Sequence, residues 1–179
     1  MKILKFNIRD FSENELLFFE GFAQSKSKIV KPQTAIAHYK VKEYLSQIFN
    51  TPINNIMFTL NEYGKPYYGK EIFFNISHSS DEIIIVFDKE EIGVDIERIK
   101  NINPKLLKKI ATEKEQAEFD FEKFDINFLK LWTLKEAYFK FIGTGITDLK
   151  SISADEIQNK YYTETIIENE YIISIVKGR

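Results

Sequence analysis

Apolar and polar positions divide the chain into short strands and amphipathic helices in mixed order. Ile3 to Ile8 reads as a short strand, and Ser12 stands where a cap belongs, ahead of a helix through Glu15, Leu16, Phe18 and Phe19. Ala37, Val41, Leu45 and Ile48 recur close to helical spacing and predict a second helix from about Thr34 to Phe49. Asn54 to Asn61 reads as a strand, followed by the turn signal Tyr63-Gly64-Lys65-Pro66. An apolar stretch at Phe73-Phe74 then runs into the polar residues Asn75, Ser77, His78 and Ser79. Glu82 to Phe87 and Ile92 to Ile96 read as paired strands joined by the charged turn Asp88-Lys89-Glu90-Glu91.

Asn103-Pro104 starts a further helix, with Pro near its first position. Thr112 and Glu115 have the spacing of a capping box and open a short helix to Phe119. Phe124 to Phe141 carries the longest helical pattern and stops at Gly143-Thr144-Gly145. Tyr171 to Val176 closes the chain as a β-branched strand. Without a regular alternation of strand and helix, the fold class is α+β. Lys100 to Pro104 marks a seam that divides the chain into halves 1–100 and 101–179.

Composition narrows the chemistry. The chain has 179 residues, enough for one compact domain or two small halves sharing a core, and its 44% hydrophobic content indicates a folded protein. A net charge of −2 gives no polycationic signature, so nucleic acid is not an expected partner and any anion site must be local. The absence of cysteine excludes disulfides, thiolate metal sites and a cysteine nucleophile. Arg9 and Asp10 come too soon for the apolar core of a signal peptide, and no apolar run approaches a membrane span. A cytoplasmic protein with no membrane contact is expected.

Four groups of residues could carry chemistry, and each has a plain structural reading beside the functional one. Asp95 and Glu97, two apart in Gly93-Val94-Asp95-Ile96-Glu97, project from one side of a strand. They form either a hard-oxygen site for Mg²⁺ or an exposed polar strand face screened by Arg98. Trp132, Glu136 and Lys140 fall four apart and share a helix face, with Lys135 beside it. They supply a third carboxylate and a phosphate-binding lysine, or an ordinary surface Glu–Lys pair. Ser77 and His78 can bind phosphate oxygens, but adjacent residues point apart and no nucleophile-elbow glycines accompany them. Lys65 is either a phosphate contact or a solvated turn lysine.

Together and in this order, Gly64-Lys65-Pro66, Phe74-Asn75-Ile76-Ser77-His78-Ser79, Gly93-Val94-Asp95-Ile96-Glu97 and Trp132-Thr133-Leu134-Lys135-Glu136-Ala137-Tyr138-Phe139-Lys140 give a marked resemblance. The chain resembles the 4′-phosphopantetheinyl transferases, in the longer, Sfp-like type whose two similar halves share one chain. The resemblance implies a pseudo-twofold monomer with its active site between the halves. It implies that coenzyme A is the substrate and an acyl or peptidyl carrier protein the acceptor, with Mg²⁺ held by Asp95, Glu97 and Glu136. Lys140 and Lys135 would contact the coenzyme phosphates, Ser77 and His78 the nucleotide end, and Lys65 a further part of the coenzyme. Glu115 matches a proposed general base, and its capping-box spacing offers a structural alternative. Lys26, Lys28 and Lys31 match basic residues that hold the 3′-phosphate. Glu136 and Lys140 complete the catalytic set. The second half is shorter than is usual for the longer type, so part of the carrier-docking surface is expected to differ. A binding module that has lost activity is the alternative function.

Overall fold

A computed structural model describes residues 1–23 and 30–179. In chain order the elements are β1 (Lys2–Asn7), α1 (Glu13–Glu20), α2 (Pro32–Phe49), β2 (Thr59–Leu60), β3 (Pro66–Tyr67), β4 (Phe73–Ser79), β5 (Glu82–Asp88) and β6 (Ile92–Arg98). There follow α3 (Leu107–Ile110), α4 (Glu113–Ala117), α5 (Phe124–Ile142), α6 (Ala154–Lys160), β7 (Tyr162–Glu168) and β8 (Tyr171–Lys177). The α+β expectation holds. Capping chemistry sets several helix starts as the sequence implies: Ser12 with Glu15 opens α1, Thr112 with Glu115 opens α4, and Gly143 in a left-handed conformation closes α5.

Two antiparallel three-stranded sheets form the centre, in the orders β1-β5-β4 and β6-β8-β7. This corrects the expected pairing of Glu82–Phe87 with Ile92–Ile96. β5 lies between β1 and β4, whereas β6 pairs along its whole length with β8. The charged segment Asp88–Glu91 therefore passes from one sheet to the other instead of closing a hairpin. β6 falls within residues 1–100, yet it hydrogen-bonds into the sheet of the second half. Asn54–Asn61 also differs from expectation, giving a 3-10 turn at Ile53–Asn55 and only the two-residue strand β2.

The reason for the two sheets is visible in β5. Its run Ile83-Ile84-Ile85-Val86-Phe87 is buried on both faces, as a continuous apolar strand requires. Ile83, Ile85 and Phe87 pack under α2 with Ile36, Val41 and Leu45. Ile84 and Val86 meet Val94, Ile96, Ile173 and Ile175 of the other sheet. Helix α5 covers the far side of that second sheet, against Ile172 and Val176. The layers run helix, sheet, sheet, helix, and each sheet with its helix is built in the same order of strand, long helix and two antiparallel strands.

Candidate functional site

Alternation in β6 separates its residues by task. Val94 and Ile96 enter the core between the sheets, while Gly93, Asp95 and Glu97 face α5. A Cβ on Gly93 would lie 2.0 Å from the Ala137 carbonyl oxygen and 2.4 Å from the Phe141 backbone nitrogen. The missing side chain is what lets α5 approach β6 so closely and brings Lys140 over Asp95.

Asp95 is only 2% exposed. Its Oδ1 accepts hydrogen bonds from Lys140 Nζ at 2.6 Å and Ser77 Oγ at 2.8 Å. Its Oδ2 is buried and has no hydrogen-bond partner among the described residues. Such an oxygen is costly to leave bare. Arg98 does not screen the acids, because its guanidinium pairs with Glu170. Lys140 pairs with Asp95, not with Glu136 one turn before it. Both plain structural readings of these motifs are thereby replaced by a buried cluster that joins β4, β6 and α5.

Glu136 belongs to that cluster. Burial and the neighbouring Asp95 push its carboxyl up to about 8, Glu97 adds to the push, and Lys140 partly opposes it. Glu97 is half-buried and accepts a hydrogen bond from Ser79 Oγ at 3.0 Å. Glu136 thus feels the charge of both other acids, with Lys140 on Asp95 and Lys100 Nζ 3.7 Å from Glu97 Oε2. Among the described residues no group of three or more His, Asp or Glu is close enough together to hold a metal ion by itself. Mg²⁺ takes one or two protein carboxylates and leaves its other positions to water and phosphate oxygens. The bare Asp95 oxygen and the crowded, hard-oxygen donor set fit such an ion.

Beside the acids lies a cavity of about 360 Å³, lined by His38, Lys65, Ile76, His78, Phe139, Lys140 and Gly143 among others. That size suits a small-molecule site. His78 stands exposed at its edge. The protein around it, and then Lys140 and Lys31, hold its imidazole below the usual value, while Asp95 pulls the other way. Lys65 lines the wall, but its Nζ donates to Glu91 Oε2 at 2.6 Å and to the Phe141 carbonyl at 2.9 Å. Burial lowers its pKa, against the pull of Glu91. Lys65 and Asn61, which donates to the Gly143 carbonyl, fasten the β2–β3 turn to the end of α5. His38 was not singled out from sequence. It is buried, and burial together with Lys42 drives its pKa down to about 4.

Two expected site residues lie elsewhere. Lys135 is fully buried, and its Nζ donates to the carbonyls of Ile110 and Leu149 and to Glu115 Oε2. Glu115 is occupied in turn, accepting from Lys135, from the Thr112 backbone and, through Oε1, from Ala154. Lys135 therefore does not line the cavity in this arrangement, and both Glu115 oxygens already accept hydrogen bonds. Lys135 follows Lys140's helix but points to the side where α3, α4 and α6 begin or end. Lys31 lies close enough to act on His78, whereas Lys26 and Lys28 lie outside the described residues. Among the described residues no helix is long and apolar enough to cross a membrane.

Residues 91–177 match the family model described as the 4′-phosphopantetheinyl transferase superfamily. The chain is similar to 4′-phosphopantetheinyl transferase gsp of Aneurinibacillus migulanus, with 37% identity over 132 residues, 71% of this chain and 54% of that protein. It is similar to 4′-phosphopantetheinyl transferase Sfp of Bacillus subtilis (strain 168), with 31% identity over 120 residues, 64% of this chain and 54% of that protein. The chain thus spans about half the length of the curated relatives it matches. Among solved structures, holo-[acyl-carrier-protein] synthase (AcpS) of Thermotoga maritima aligns with 50% of this chain and 62% of its own, at a TM-score of 0.41 and 17% identity. A likeness of that degree adds nothing to the fold described above.

Proposed function

The chain belongs to the 4′-phosphopantetheinyl transferase superfamily, and we propose that it transfers the 4′-phosphopantetheine arm of coenzyme A to a serine of an acyl or peptidyl carrier protein. The observation that carries this reading is the meeting of a cavity of about 360 Å³ with a buried carboxylate cluster at Lys140. In the proposed reaction the serine oxygen forms a bond to the phosphorus attached to pantetheine. The bond from that phosphorus to the bridging pyrophosphate oxygen breaks, and adenosine 3′,5′-bisphosphate leaves.

Asp95, Glu97 and Glu136 would hold Mg²⁺, which when bound neutralises charge on the pyrophosphate and orients in-line attack. Lys140 is the mobile partner of this reading. Its ammonium, on Asp95 in the free protein, moves to the coenzyme phosphates while staying within the same wall. His78 and Lys31 flank the nucleotide end, and Lys65 shapes the cavity by holding its turn against α5. A serine hydroxyl needs a base, and a base works best with a pKa near the operating pH. Glu115 is the candidate from the family resemblance, and it would have to give up its Thr112, Lys135 or Ala154 hydrogen bond to take the proton. In this reading the active site lies where β4 of one sheet meets β6 of the other and α5, and a monomer would supply all of these residues.

The test is intact-mass spectrometry of an apo carrier protein incubated with the protein, coenzyme A and Mg²⁺. A gain of about 340 Da, the mass of the arm in this phosphoryl transfer, that disappears with EDTA is the expected result. No gain on several unrelated carriers, from protein that still binds coenzyme A, would sink the enzymatic reading.

A further inference from the structure

Strands β4 and β6 run side by side in the same direction, yet they belong to different sheets. Side chains of β4 take the place of a backbone ladder. The N–H of Val94 donates to Asn75 Oδ1 at 3.0 Å, that of Ile96 to Ser77 Oγ at 3.4 Å, and that of Arg98 to Ser79 Oγ at 3.0 Å. The three contacts share a sequence offset of 19 residues, so the seam repeats one unit every second residue.

Each serine in that unit has a second task. A hydroxyl has one proton and two lone pairs. Ser77 accepts from the Ile96 N–H and from Lys140 Nζ at 2.8 Å, which fills both lone pairs and leaves its proton for Asp95 Oδ1. Ser79 accepts from the Arg98 N–H and gives its proton to Glu97 Oε2 at 3.0 Å. In both cases the backbone bond at one residue aims the hydroxyl at the carboxylate of the residue before it. Where the preceding residue is Gly93, with no side chain to hold, the seam carries Asn75, which meets the Val94 N–H with a carbonyl oxygen.

We propose that Ser77 and Ser79 are positioning residues that fix the rotamers of Asp95 and Glu97 and so preorganise both acids for a divalent cation. This rests on the reading of Asp95 and Glu97 as metal-holding acids. It gives Ser77 a different role from the nucleotide contact implied by the family resemblance, and it adds Ser79. Each serine hydroxyl stands behind one oxygen of its acid. At Asp95 the oxygen left over is the bare Oδ2. Hydrogen-bond partners behind metal ligands typically matter for affinity by about 10- to 100-fold.

The experiment titrates Mn²⁺ into the full chain without coenzyme A and follows free ion by electron paramagnetic resonance. The proteins are wild type, Ser79→Ala, Ser79→Thr, Ser77→Ala and, as the control for the site, Asp95→Ala. Wild type binds Mn²⁺ and Asp95→Ala does not. Ser79→Ala and Ser77→Ala bind about tenfold more weakly, while Ser79→Thr, which keeps the hydroxyl, stays close to wild type. A melting curve on each protein separates this from a loss of folding, and having two serines tested keeps the outcome decisive if one alanine variant does not fold. Equal Mn²⁺ affinity in wild type and the alanine variants, or a threonine variant as weak as alanine, would overturn the positioning role alone. A wild type that takes no Mn²⁺ would overturn the metal reading and the positioning role together.

Discussion

Lys135 and Lys140 sit on the same face-forming stretch of α5, five residues apart, and both lie in the motif expected to meet the coenzyme. Their surroundings differ in one respect that decides their use. Lys135 has a fully buried side chain and three oxygen acceptors, and its partner Glu115 has other donors for its remaining capacity. Lys140 keeps 26% of its side chain open to the cavity, and its partner Asp95 has a buried oxygen with nothing on it. The first pair is closed and joins four chain segments. The second is open, as the proposed coenzyme and metal site requires. A complete set of partners marks a structural charge, and an incomplete set in a cavity wall marks a functional one.

The largest effect that tests this contrast is on stability. Lys135→Met leaves Glu115 without its cation while α3, α4 and α6 lose their common tether. Breaking a buried pair in this way costs about 3 to 5 kcal/mol, read by urea denaturation. Lys140→Met also leaves a buried carboxylate without its cation, but Ser77 Oγ still donates to Asp95 and no tether between helices is lost, so the cost is expected to be smaller. Equal losses in the two variants would erase the distinction between closed and open pairs.

How much of this could be read from the chain follows from how local each signal is. Caps at Ser12, Thr112 and Gly143 are local, and they appear where the sequence places them. The same-side projection of Asp95 and Glu97 is a property of any strand. The pairing of β5 and β6 was misread because adjacency in sequence favours a hairpin, whereas β6 finds its partner in β8, about eighty residues on. Lys135 illustrates the deeper limit. Its neighbours in sequence are site residues, but a helix turns about 100° per residue, so Lys135 and Glu136 cannot face the same way. The alternation Asn75, Ser77, Ser79 was an available signal for a polar seam. It needed the position of β6 to acquire meaning.

The next effect is catalytic. Asp95→Asn keeps shape and removes charge, taking away the oxygen that has no partner and the anchor of Lys140. Losing a charge-stabilising group of this type lowers turnover by roughly 100- to 1000-fold, measured by the rate of carrier modification under saturating coenzyme A. Its stability loss is expected to be smaller than that of Lys135→Met, since Asp95 also repels Glu136. A variant with near-wild-type turnover would remove Asp95 from the ion site.

The smallest effect is a slope in stability with pH, and it reports on the open cluster alone if the window is well chosen. Glu136 has a folded value of about 8 against an ordinary 4.5. A carboxyl shifted upward binds its proton more tightly in the folded state, so its contribution is complete below about 4.5 and is lost as pH rises through about 8. His38, held down at about 4, acts in the opposite direction, with stability gained as pH rises towards its ordinary 6.5. His78 is shifted the same way as His38. Between pH 7 and 8.5 the histidine contributions are already complete, and Lys42, Lys65 and Lys135, lowered by burial, contribute a rise with pH, so a fall there belongs to Glu136. In EDTA the unfolding free energy should fall across that interval by on the order of 1 kcal/mol. With saturating Mg²⁺ the fall should flatten, because a cation competes with the proton for the same carboxylates. Asp95→Asn should lessen the slope without abolishing it, by removing the neighbour that adds to the larger effect of burial. A slope that persists unchanged in Mg²⁺ and in Asp95→Asn would mean that Glu136 is held up by burial alone, and the cluster would then be closed in the same sense as Lys135 and Glu115.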